Sequence, residues 1–124
     1  MTVSLQTVQP EAVQQELERI CAHPLFANAP MLKRFLRFAV EKTLAGSPEV
    51  VKEYTIGSEV LGRGSSFDPS QSSIVRTQAF NIRSRLNAYY QEQGANAPLR
   101  IIFSPGTYTP TFAGAQVVSQ PEIQ

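Results

Sequence analysis

The sequence predicts a mainly helical domain that ends in one small β-hairpin. From Ser72 to about Glu92 apolar residues recur at Val75, Ala79, Ile82 and Leu86, a spacing that turns one stripe of a long helix toward a core. The following segment, LRIIFSPGTYTPTF, offers two strand candidates, Leu99 to Phe103 and Tyr108 to Phe112. They are joined through Ser104-Pro105-Gly106-Thr107, a turn that combines a preset and a permissive backbone residue. The long helix also carries Arg76, Arg83 and Arg85, with no acidic residue from Pro69 to Gln91. A bare cationic helix leading into a hairpin is the layout of a winged helix-turn-helix reader of DNA, here with an extra N-terminal helix. Because the arginines lie off the apolar stripe, they are expected to be free to meet a partner.

The earlier elements follow in order. Residues 1–9 are polar and β-branched without a clear period, and read as a flexible arm. Pro10 suits the first turn of a helix that aligns Val13, Leu17, Ile20 and Cys21, with Glu11 near its positive end. Pro24 ends that helix near His23. In the connector PLFANAP, Leu25 and Phe26 are expected to plug the core. A second helix from Pro30 or Met31 to about Ala45 presents Leu32, Phe35, Leu36, Ala39, Val40 and Leu44 on a broad apolar face, and Gly46 supplies a left-handed cap. The run VVKEYTIGSEVLG reads as a helix stopped by Gly62, its C-terminal half forming the short first helix of the helix-turn-helix unit. The Gly-, Ser- and Pro-rich loop GRGSSFDPSQSS cannot be regular; Phe67 should anchor it, and Ser70, Ser72 or Ser73 should cap the long helix. The domain therefore spans residues 10–112, followed by a polar tail, 113–124, that reads as disordered.

Composition narrows the function. A chain of 124 residues holds one core. No apolar run approaches the roughly 20 residues of a membrane span, and the first residues lack the pattern of a signal peptide, so a cytoplasmic protein is expected. The net charge of +1 is unremarkable, but its distribution is not. From Pro30 to Tyr90 nine basic residues stand against five acidic ones, whereas Glu11, Glu16 and Glu18 face only Arg19 in the first helix. That asymmetry suits an oriented anionic partner. Cys21 is the only cysteine and His23 the only histidine. Two positions apart on a helix, they point about 200° from each other, so neither a nucleophile pair nor a zinc site is expected and Cys21 is assigned to packing. The glycines of Leu61-Gly62-Arg63-Gly64-Ser65 lack the lysine and preceding strand of a phosphate loop, and read as a connection. The chain is expected not to be an enzyme and to need no cofactor.

The segment IGSEVLGRGSSFDPSQSSIVRTQAFNIRSRL, followed by a strand and PGTY, resembles the C-terminal winged-helix effector domain of the OmpR/PhoB response-regulator family. Ile82-Arg83-Ser84-Arg85-Leu86 stands where that family has an arginine-rich run, and Gly106 and Tyr108 stand at its wing glycine and tyrosine. Over residues 12–112 the chain is more closely similar to the N-terminal domain of bacterial adenylate-cyclase-like and tetratricopeptide-repeat regulators, most specifically from KEYTIG to RSRL. The resemblance implies a winged-helix module that binds DNA in transcription regulation. Phe80 and Asn81 depart from it where basic residues are common, and the wing lacks a lysine.

Helical projection sorts the candidate DNA-binding residues. Arg76, Phe80 and Arg83 fall on one flank, Thr77, Asn81 and Ser84 opposite the core, and Gln78 and Arg85 on the other flank. Arginine suits phosphate oxygens or guanine; Asn81 and Gln78 are candidate base readers, and Thr107 lies at the hairpin turn. For Phe80 contact with a thymine methyl, packing on Phe67 and a protein interface stay open. Tyr89 and Tyr90 are expected to close the core. Double-stranded DNA is the expected partner, bound by a homodimer or higher assembly, with a protein partner possible in place of strong DNA binding; a winged-helix interaction or oligomerisation module is the alternative reading.

Overall fold

A computed structural model describes residues 9–93, 97 and 99–114. The arm at residues 1–8 and the tail from residue 115 lie outside the described residues. Helix α1 runs Pro10–Ala22, with proline in its first turn and Glu11 beside it. It buries Val13, Glu16, Leu17, Ile20 and Cys21. His23 ends it in extended backbone, and its ring Nδ1 accepts from the Leu25 amide at 3.1 Å, which caps the next element. That element is a single helical turn, α2, Pro24–Ala27, in the segment expected to be a plain connector. Phe26 is fully buried there, while Leu25 packs on the core from its edge.

Helix α3, Pro30–Leu44, buries Leu32, Phe35, Leu36, Ala39 and Val40 and stops at Gly46, whose φ of +83° needs a glycine. A 3₁₀ turn, Pro48–Val50, leads to α4, Glu53–Thr55, which widens directly into a π turn, Ile56–Val60. The widening shows in the Leu61 amide, which donates to the Ile56 carbonyl five residues back. Phe67 explains why Gly57 stands in this turn: a Cβ at Gly57 would lie 2.3 Å from the Phe67 ring. The loop is thus anchored as its sequence predicts, through a ring seated on a bare backbone.

Helix α5, Ile74–Gln93, is the longest, and the Ser72 hydroxyl accepts from the Ile74 amide at its start. Its Val75, Ala79, Ile82 and Leu86 join Leu32, Phe35, Leu36 and Ala39 of α3 in one buried cluster, and Tyr89 and Tyr90 close the far end. Two antiparallel strands complete the domain, β1, Leu99–Ile102, and β2, Thr111–Gly114, in a register that pairs Leu99 with Gly114 and Ile102 with Thr111. Leu99 and Ile101 face the core, while Arg100 and Ile102 turn outward. The architecture is mainly helical with one small antiparallel sheet.

The second strand begins later than the sequence reading places it. Pro110 has no amide hydrogen to give a ladder, so pairing starts only at Thr111. The ladder in turn takes in Ala113 and Gly114, assigned above to the tail. The hairpin connection is therefore a loop from Phe103 to Pro110 rather than a four-residue turn. Within it Gly106 takes φ +86°, and the Tyr108 ring folds back to 6.1 Å from that of Phe35.

Candidate nucleic-acid interface

The exposed side of α5 gathers most of the predicted residues. Thr77 and Ser84 are exposed, Gln78, Asn81 and Arg83 are half-buried, and Phe80 projects with 62% of its surface accessible. Phe80 does not pack on Phe67; the ring beside Phe67 is that of Tyr54, 6.4 Å away. Thr107 is exposed in the hairpin loop, its hydroxyl accepting from the Thr109 amide.

The three arginines differ, and the expectation that all are free is corrected. Arg85 reaches across to α2, where its Nη1 donates to the Leu25 carbonyl at 2.6 Å. That carbonyl lies in a helix too short to use it internally, so the guanidinium takes the place of a cap. Arg85 is thereby held in the structure. Arg76 donates from Nη1 to Glu53 Oε2 at 2.6 Å and, more weakly, to the Pro69 carbonyl at 3.4 Å. Arg83 makes no hydrogen bond or ion pair among the described residues.

Glu53 is a residue the sequence reading missed. It belongs to α4, yet it brings a carboxylate to the first turn of a helix whose own sequence is free of acids there. Tyr108 joins this group from the hairpin loop. Burial raises its phenol above the ordinary range and the Glu53 charge adds to that, against the opposing pull of Arg76 and Arg83. One end of α5, the α4 turn and the hairpin loop thus converge.

Further along, the hairpin runs beside α5 and leaves a groove of about 440 Å³ lined by Arg83, Asn87, Tyr90, Gln91 and Arg100 among others. Arg100 was passed over because it lies beyond the basic stretch that ends at Tyr90. Its guanidinium sits 4.9 Å from the centre of the Tyr90 ring, a cation held over an aromatic face.

The remaining reactive groups have structural surroundings. Cys21 packs in the core as expected, and burial raises its thiol above the ordinary value. His23 Nε2 lies 3.1 Å from Glu92 Oε1, and its ring meets Tyr89 edge-on. Among the described residues no cluster of His, Cys, Asp and Glu could hold a metal ion, and no helix is long and apolar enough to cross a membrane. Comparison with protein-family models, curated proteins and solved structures finds no match to this chain.

Proposed function

We propose that this chain is a winged-helix DNA-binding domain of a cytoplasmic transcriptional regulator, with α5 lying in the major groove and the loop between β1 and β2 acting as the wing. The observation that carries the reading is the division of α5. One stripe is locked into the core, and the opposite side offers Thr77, Phe80, Asn81, Arg83 and Ser84 without a carboxylate of its own. A helix fits the major groove, and amide, hydroxyl and guanidinium groups match the donors and acceptors of base edges and phosphates. Tyr108 near Arg76 and Arg83 sets the hairpin loop beside the first half of that helix, where a wing would reach the neighbouring backbone.

With Arg76 and Arg85 of α5 already bonded within the chain, one copy would gain little beyond the roughly 10⁻⁴–10⁻⁶ M of bare phosphate contact. Two copies on half-sites about 10 base pairs apart would place equivalent helices on one side of the duplex. The test is selection of duplexes from a random pool, followed by sedimentation on the enriched sequence. A selected motif bound by two subunits supports the proposal, and a pool that never enriches removes it.

Phe80 favours one second reading, an interaction module that keeps the fold and binds protein. An aromatic ring 62% exposed on the presented face suits a protein contact. Retention on duplex DNA that falls with salt separates the two.

A further inference from the structure

We infer that Arg76, buttressed by Glu53, reads a guanine rather than holding a phosphate; the inference rests on the DNA-binding reading above. Arg76 is the third residue of α5, and the first turn of a helix entering the major groove is where side chains reach base edges. Its guanidinium is anchored through one nitrogen only. Both of its hydrogen bonds, to Glu53 Oε2 and to the Pro69 carbonyl, leave from Nη1. Nε and Nη2 have no partner among the described residues, and together they form the side-on edge of the fork. That edge presents two parallel N–H donors, the pattern that meets O6 and N7 of guanine.

Charge decides between the two possible targets. Glu53 Oε2 lies 2.6 Å from the guanidinium, so a phosphate approaching Arg76 also approaches a carboxylate. The pair is close to neutral as a unit, and a phosphate gains little from it. The guanine edge carries no net charge and is not repelled in this way. Anchoring also removes much of the freedom a long side chain would lose on binding, which favours a fixed two-bond contact over a mobile charge. Arg83, with no such carboxylate bonded to it, is the contrasting case and suits phosphate.

Four proteins tested together decide the matter: wild type, Arg76→Ala, Arg76→Lys and Glu53→Gln. Each is taken through selection from a random duplex pool and a salt titration of affinity, with thermal melting as the folding control. Arg76→Lys keeps the charge and can keep the ion pair, so it carries the test if the alanine variant does not fold.

Wild type is expected to select guanine at one position that both Arg76 variants lose, with a salt slope little changed. Glu53→Gln removes the repelling charge and turns Arg76 toward phosphate. Its binding to unrelated duplexes should rise roughly three- to tenfold and its slope steepen by about 0.9, while the guanine preference weakens. Glu41→Gln, the same charge change beside Pro10 and Gln14 on the α1–α3 side, should do neither.

An unchanged selected sequence in the Arg76 variants, with a slope shallower by about 0.9 in Arg76→Ala, would make Arg76 a phosphate contact and overturn the inference. Failure of wild type to bind any duplex at low salt would instead remove the DNA-binding reading, and the inference with it.

Discussion

The Tyr90 hydroxyl donates to Glu16 Oε2 at 2.7 Å and at the same time accepts from the Ile101 amide at 2.9 Å. Glu16 is fully buried, and Arg19 binds its other oxygen at 2.8 and 3.1 Å. A carboxylate in such a place is tolerated because both oxygens have partners. One phenol therefore fastens α1, α5 and β1 together, and with them the angle of the hairpin to the long helix.

Tyr90→Phe keeps the ring but strips partners from a buried carboxylate and a buried amide. Urea unfolding is expected to show a loss of about 2–4 kcal/mol, since unsatisfied buried groups outweigh the bonds themselves. A change within a few tenths of a kcal/mol would show that water takes over the role of the hydroxyl.

The same phenol gives the domain an alkaline limit. Burial, the largest cause, pushes the Tyr90 hydroxyl well above its ordinary value, so its contribution is complete below the unfolded value near 10 and is lost as pH rises beyond it. In that window the unfolded chain sheds a proton that the folded chain keeps, and stability falls by up to about 1.4 kcal/mol per pH unit. Urea midpoints across pH 8 to about 11 should fall more steeply for wild type than for Tyr90→Phe. Parallel curves would contradict this.

Gly57→Ala places a methyl group against the Phe67 ring, at a distance of 2.3 Å that forces the ring to move. Overpacking of this kind costs about 1–3 kcal/mol. The loss should shrink when Phe67→Ala is already present, and a double-mutant cycle measures that coupling. Additive losses would mean that the π turn, not the ring, is what Gly57 serves.

The core was legible because its signal is local. The stripe of Val75, Ala79, Ile82 and Leu86 repeats along one element, and so does that of Leu32, Phe35, Leu36 and Ala39. Gly46 and Gly62, both at positive φ, likewise end their elements where the sequence places them. What decides the state of the arginines is not local. Glu53 lies 23 residues before Arg76, and the partner of Arg85 is a backbone carbonyl 60 residues away, which no side-chain pattern reveals. The late start of β2 has a visible cause in Pro110, which lies inside the strand Tyr108 to Phe112 that the sequence reading draws. The π turn depends on a contact between Gly57 and Phe67 that only the folded loop makes.

Arg83 and Arg85 are two residues apart and should respond differently to removal. Arg83→Ala is expected to make the salt slope of duplex binding shallower by about 0.9 with little change in stability. Arg85→Ala should leave the slope alone and lower stability by about 1–3 kcal/mol, because the Leu25 carbonyl loses a charged donor. Equal effects of the two on the slope would return Arg85 to the interface.

Duplex DNA is the proposed partner, and the affinity of wild-type protein for its selected duplex, measured from about 50 to about 200 mM salt, tests that most directly. The expected result is binding whose logarithm falls with that of salt at about −1 to −2 per subunit, since of the three arginines on α5 Arg76 is bonded to Glu53 and Arg85 to the Leu25 carbonyl, which leaves Arg83 as the main phosphate contact of the helix. Absence of binding at the lowest salt, or an affinity that does not change across the range, would contradict it.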